Sequence, residues 1–221
     1  MSALRIVLSS RSPRRHQLLD LIGIPHEVVP ADIDESVLPR ERPGKHAERL
    51  AREKAEAVAG SDPNLVAVGA DTVVVIDGKI LGKPTSAVDA GSMLNLLSGR
   101  KHTVVTAVAV ARGKKVRSAV EEVSVKFRKL TDDEIDAYIA TGEPMDKAGA
   151  YGIQGYGATI VERIEGDYFA VMGLPLVRLV SLLAEVDVHY GFGKLTSPSA
   201  GFHARRGTRA AGRKQGNQRE G

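Results

Sequence analysis

Short apolar runs bounded by turn residues alternate along this chain with stretches whose apolar positions recur at helical spacing. The first run, residues 4–8, reads as a short buried strand. Ser12 then offers a helix N-cap and Pro13 the first helical position, with Leu18, Leu19, Leu21 and Ile22 as the apolar face of the helix. Residues 26–29 read as a second strand. A helix over about 45–59 carries an apolar stripe of Ala47, Leu50, Ala51 and Val58, opposed by Glu48, Arg49, Arg52, Glu53 and Glu56. Residues 65–76 form the most apolar stretch, long for one strand, and Asp77-Gly78 closes a hairpin onto residues 79–81. A helix follows Ser86 over 87–97. Two strands come next, 102–111 and 116–127, joined around Gly113, and their Val/Ala alternation with polar residues predicts a sheet with one wet face. Thr131 to Glu134 has the capping-box spacing. A strand over 159–164, a turn at 166–168 and a last helix from 173–175 to about 184 complete an α/β pattern.

The polar interruptions of this pattern carry the candidate chemistry. Leu8 to Arg15 places three serines and three arginines at a strand–turn–helix joint. Arginines in a first helical turn oppose the helix dipole, so the joint reads either as an anion site or as a capped helix with solvated arginines. Asp32-Ile33-Asp34-Glu35 is either a solvated acidic loop or a site for a hard divalent cation. Lys54 falls inside the apolar stripe of its helix, where an ammonium needs a structural carboxylate or a phosphate. Asp71 sits mid-strand in the most apolar run, and a carboxylate there must be paired, metal-bound or catalytic. Lys83, between Gly82 and Pro84, is another cation for phosphate. Residues 149–157 hold four glycines with Gln154 and two tyrosines, either an irregular loop or one that lets backbone approach a flat ligand.

Composition narrows the classes. The chain has 221 residues and no cysteine, which excludes disulfides, thiol nucleophiles and thiolate metal sites. No apolar stretch reaches a membrane span and no signal-peptide core opens the chain, so a cytoplasmic protein is expected. The net charge of +4 is misleading: residues 189–221 carry seven Lys/Arg against one acidic residue, leaving residues 1–188 at −2. That division predicts one domain over 1–188 and a basic, Gly/Arg-rich disordered tail over 189–221, with no specific nucleic-acid partner expected. The phosphate loop of common NTPases, the zinc-hydrolase helix motif and the serine-hydrolase elbow are all absent from the sequence.

Ser9 with Ser12-Pro13-Arg14-Arg15, Asp32-Ile33-Asp34-Glu35, Arg52-Glu53-Lys54-Ala55, Gly69-Ala70-Asp71-Thr72, Gly82-Lys83-Pro84 and Tyr151-Gly152-Ile153-Gln154-Gly155 occur in the order that resembles the Maf family of nucleoside triphosphate pyrophosphatases. The resemblance covers about residues 4–185. It implies an elongated mixed β-sheet with two α/β lobes around a central cleft, as in inosine triphosphate pyrophosphatases. It also implies release of pyrophosphate from a nucleoside triphosphate, with Asp71 as proton acceptor. Glu35 and Asp71 would hold a divalent metal cation, Mg or Mn. Ser9, Arg14, Arg15, Lys54 and Lys83 would line the triphosphate, and Arg14, Thr72 and Gln154 resemble the dTTP/UTP branch. The Gln154 amide, one acceptor and a pair of donors, matches N3–H and a carbonyl of uracil or thymine and mispairs with cytosine. A homodimer is a further implication. The alternatives are the branch acting on modified purine nucleotides, or a septum and cell-division regulator binding nucleic acid through the tail. Ala170 stands where the family often has Asn, which puts a polar contact there in doubt.

Overall fold

A computed structural model describes residues 4–197. In chain order the elements are β1 (Arg5–Ser9), α1 (Pro13–Leu21), β2 (His26–Val28), α2 (Pro43–Val58), β3 (Leu65–Ile76), β4 (Lys79–Leu81), α3 (Ala87–Leu97), β5 (Lys101–Arg112), β6 (Lys115–Phe127), α4 (Asp132–Ala140), β7 (Val161–Glu165), α5 (Tyr168–Met172), α6 (Leu176–Glu185), β8 (His189–Tyr190) and β9 (Leu195–Thr196). Seven strands form one mixed sheet in the order β2-β1-β3-β5-β6-β7, with β4 hydrogen-bonded to β3. β1 runs parallel to both β2 and β3, whereas β3, β5, β6 and β7 are antiparallel. The β3–β4 turn, Asp77-Gly78, has φ of 49° and 73°, as a tight hairpin demands.

The length of β3 and β5 is what produces two lobes on one sheet. Successive side chains alternate faces. On one face Val66, Val68, Ala70, Val108 and Val110 join Leu8, Leu18, Leu19, Leu179 and Leu183 in a first core. Further along the same face Val74, Ile76 and Val104 join Leu94, Leu97, Phe127 and Ile135 in a second. Between them lies the cross-strand pair Thr72–Thr106, two hydroxyl residues where apolar continuity would have fused the cores. The opposite face is a third core in which Ala47, Ala51 and Ala55 of α2 meet Ala67, Ala107, Ala109 and Ala111. Small side chains on both surfaces let α2 lie close to the sheet.

Several expectations need correcting. β5 has no wet face, because α2 covers the side that the alternation left open; only β6 alternates. Ser12 stands at the N-cap without a side-chain bond, and Ser10 Oγ accepts from the Ser12 amide instead. Leu21 is 65 % exposed, while the buried residues of α1 are Arg15, Leu18 and Leu19. α2 starts at Pro43, β7 follows a short 3-10 turn at Gly155–Thr159, and Asp167 caps α5. Order also extends past the expected boundary at 188: β8 and β9 pair, Tyr190 packs on the first core, and its hydroxyl donates to Ile22 O at 2.8 Å. The rest of the expected tail lies outside the described residues.

Candidate active site

A cleft of about 780 Å³ opens between the lobes, and Ser9, Arg14, Arg15, Glu35, Lys54, Asp71, Thr72, Lys83 and Gln154 all line it. Its charged floor follows from one glycine. A Cβ on Gly69 would lie 2.2 Å from Ala51 O and 2.6 Å from Ala55 N, so only glycine lets α2 approach β3 this closely. That approach brings Lys54, one helical turn from Leu50 and Val58, onto Asp71, which points to the same face of β3 as Gly69. Lys54 Nζ donates to Asp71 Oδ1 at 2.8 Å and lies 2.7 Å from Glu35 Oε1. Lys54 and Asp71 are buried and Glu35 is more than half exposed. Burial raises the Glu35 pKa, but the Lys54 hydrogen bond and the charges of Lys54, Lys83 and Arg15 outweigh it and hold the carboxyl below its usual range.

The neighbouring residue of β3 faces a different network. Arg15, buried at the start of α1, donates through Nε to Gly173 O at 2.8 Å, through Nη1 to Ser10 Oγ at 3.1 Å and through Nη2 to Thr72 Oγ1 at 3.1 Å. Thr106 Oγ1 lies 2.7 Å from Ala170 O and 3.0 Å from Thr72 Oγ1. A carbonyl only accepts, so Thr106 donates to Ala170 and Thr72 donates to Thr106. The polar contact at position 170 is therefore made by backbone. Gly173, at φ 109°, ends α5 in a left-handed turn that aims this carbonyl at Arg15. Burial pulls the Arg15 pKa down, and Asp71 pushes it back up. Three of the five guanidinium N–H groups are engaged by protein, which leaves two for a ligand.

The rim is held from the second lobe. Arg14 Nη1 donates to Asp146 Oδ2 at 3.0 Å, and Lys147 Nζ donates to Asp146 Oδ1 at 2.6 Å. Glu143 accepts from Tyr138 OH at 2.8 Å and from the Tyr156 and Gly157 amides at 2.9 and 3.0 Å, clamping the glycine loop that exposes Gln154. Lys147 and Glu143 escape a motif-level reading. Lys147 stands between Asp146 and Ala148 with no motif-like flank, and Glu143 acts on amides thirteen and fourteen residues away, which leaves no local pattern.

Of the acidic loop, Glu35 reaches the charged floor and Asp32 lines the cleft, but the Asp34 carboxylate is turned back to the Ser36 amide at 2.9 Å. The donors suit a hard divalent cation: Glu35 and Asp71 converge on one cationic position, each with a second carboxylate oxygen. Ser9 Oγ, buried on the same cleft, has no hydrogen-bond partner among the described residues and adds another hard oxygen.

Fold and site together define an α/β protein whose interlobe cleft combines arginines and lysines with two convergent carboxylates. The sequence pattern of the Maf-like protein family matches residues 5–186, and the chain belongs to that family. Relatives named dTTP/UTP pyrophosphatase include those of Aquifex aeolicus, 48% identical over 85% of this chain and 98% of the relative, and Moorella thermoacetica, 52% identical over 81% and 94%. The namesake from Syntrophomonas wolfei is 54% identical over 80% of this chain and 95% of its own length. The solved Ham1 protein of Staphylococcus aureus aligns with a TM-score of 0.44 at 16% identity, over 71% of this chain and 79% of that one. No helix among the described residues is long and apolar enough to cross a membrane.

Proposed function

We propose that this protein hydrolyses dTTP and UTP to the nucleoside monophosphate and pyrophosphate. The observation that carries the reading is the Glu35–Lys54–Asp71 cluster at the floor of a cleft walled by Arg14, Arg15, Lys83 and Lys147. The names of the relatives, read with their identity to this chain, give the nucleotide class.

Asp71 is the proton acceptor. Lys54 engages Oδ1 and orients the carboxylate, so Oδ2 takes a proton from the water that attacks the α-phosphorus. The α–β anhydride breaks as the new P–O bond forms, and pyrophosphate leaves. Lys54, Lys83 and the two remaining N–H groups of Arg15 stabilise charge on the phosphate oxygens, and Ser9 offers its hydroxyl to the same chain of phosphates. Glu35 and Asp71 would hold a divalent cation, Mg or Mn, which offsets the charge of the phosphates. Gln154 reads the pyrimidine edge, while the Thr72 hydroxyl acts mainly through Arg15, to which it is bonded.

The test is pyrophosphate release from a panel of nucleoside triphosphates with Mg²⁺ and with Mn²⁺. Preference for dTTP and UTP over CTP and purine nucleotides is the expected result. Replacing Gln154 with Ala should relax that preference more than it lowers the rate on dTTP. A panel led by modified purine nucleotides would replace this reading with the purine branch.

A further inference from the structure

We propose that this protein carries a second metal site, outside the cleft, in which His16, Asp20 and His26 bind a zinc-class first-row cation and tie α1 to the sheet edge at β2. None of the three lines the interlobe cleft. One ligand atom from each lies within 4.8 Å of the other two.

The three groups converge from two elements, and a turn of the half-exposed His16 ring completes the set. His16 and Asp20 are four apart on α1, hence on one helical face, with His16 Nε2 3.4 Å from Asp20 Oδ2. Two ligands at zinc distances around a tetrahedral ion sit about 3.3 Å apart. The His26 side chain is 1 % exposed, and its Nδ1 lies 2.8 Å from Ile24 O. Because that carbonyl can only accept, Nδ1 bears the proton and Nε2 is bare. A ring fixed by a backbone carbonyl through one nitrogen, with the other left without its own proton, is the outer-sphere pattern of a ligating histidine. The bare Nε2 faces His16 Nδ1 at 2.6 Å, where two lone-pair nitrogens crowd unless a proton or a cation stands between them. The His16 ring is half exposed, so it can turn to present either nitrogen and admit an ion from solvent. Asp20 lies in the last turn of α1, where no basic residue opposes the negative end of the helix dipole. Two imidazoles and one carboxylate select zinc, nickel or cobalt over magnesium, which distinguishes this site from the all-oxygen set in the cleft.

The experiment uses the full-length chain without an affinity tag, stripped with chelator and held in excess Mg²⁺ so that the cleft is saturated. Zn²⁺ binding is measured by equilibrium dialysis and Co²⁺ binding by visible absorption, for wild type, His16→Ala, Asp20→Asn and, as a cleft control, Glu35→Gln. One Zn²⁺ equivalent is expected in wild type and Glu35→Gln, weakened roughly tenfold or more in His16→Ala and Asp20→Asn. The Co²⁺ absorption should follow the same pattern. Zn²⁺ should raise the thermal midpoint of wild type and leave that of His16→Ala unmoved. Equal Zn²⁺ binding by wild type and His16→Ala, or loss of the equivalent in Glu35→Gln alone, overturns the proposal. Because His16 is half exposed, its variant should melt like wild type in chelator, so a lost equivalent reports on ligation.

Discussion

Asp71 and Thr72 are consecutive residues of β3, yet they face two kinds of polar network. Asp71 looks towards α2 and meets charge: a buried lysine shared with a half-exposed glutamate, with oxygens and an N–H still open to the cleft. Thr72 looks towards α1 and α5 and meets a closed chain of hydrogen bonds running from Arg15 through Thr106 to Ala170 O. The first network has capacity left over, which is what chemistry needs. The second is nearly saturated and joins α1, β3, β5 and α5 at the line where the two cores separate, which is what a rigid floor needs. One strand thus supplies a reactive face and a supporting face by the period of two alone.

The strongest way to break the reactive face is Asp71→Asn. The amide oxygen keeps an acceptor for Lys54, so the fold should hold, but the proposed proton acceptor is lost. Hydrolysis should fall roughly 10²–10⁴-fold with the melting temperature little changed, as calorimetry and pyrophosphate release would show. Near-normal turnover would move the proton acceptor elsewhere in the cleft. Gly69→Ala attacks the same face through packing. Its methyl has no room against Ala51 O and Ala55 N, and because both are backbone atoms α2 must retreat. A loss of about 3 kcal/mol in denaturant unfolding is expected, with turnover reduced because Lys54 leaves Asp71. A variant that is destabilised yet fully active would show that the Lys54–Asp71 contact is dispensable.

The two faces were unequally legible in the sequence. Lys54 interrupts an apolar stripe and Asp71 an apolar strand, so each announces a buried charge, and they prove to be each other's partner. Arg15 gives no such signal beside Arg11 and Arg14, because burial of one arginine among three depends on which falls on the Leu18–Leu19 side of α1. Thr106 sits in a Val/Ala strand where a threonine is an ordinary β-former, and its pairing with Thr72 exists only once the register of β3 and β5 is set. Most strands and helices followed from periodicity, but α5, Tyr168–Met172, begins inside what read as a turn. What did not follow was coverage: the wet face assigned to β5 is filled by α2, and the β8–β9 hairpin is too short, with two residues per strand, to give a period.

The supporting face is probed by Arg15→Met, which keeps length and removes the donors. Gly173 O, Ser10 and Thr72 would lose a partner while Met fills the space, so a cost of about 2 kcal/mol is expected. Turnover should drop less than in Asp71→Asn, and the Michaelis constant should rise if the two N–H groups not engaged by protein serve the phosphates as proposed. The comparison would sharpen if kcat changed little; a collapse of kcat as large as that of Asp71→Asn would make Arg15 part of the reactive face.

The smallest expected effect lies at the rim, where the faces meet the second lobe. Burial raises the Asp146 pKa, but the hydrogen bond from Lys147 and the charge of Arg14 hold it below the usual carboxylate range, so it is ionised at neutral pH and keeps both cations engaged. A triphosphate must compete with that carboxylate for Arg14 and Lys147. The Arg14–Asp146 pair has side chains 24% and 54% exposed, and such pairs contribute at most about 1 kcal/mol. Asp146→Asn should therefore lower the Michaelis constant for dTTP by up to roughly fivefold with kcat unchanged, and the gain should shrink as salt screens the rim. A rise in the Michaelis constant would mean instead that Asp146 holds Arg14 in its binding posture, and the rim would then belong with the supporting network around Arg15 rather than with the reactive one.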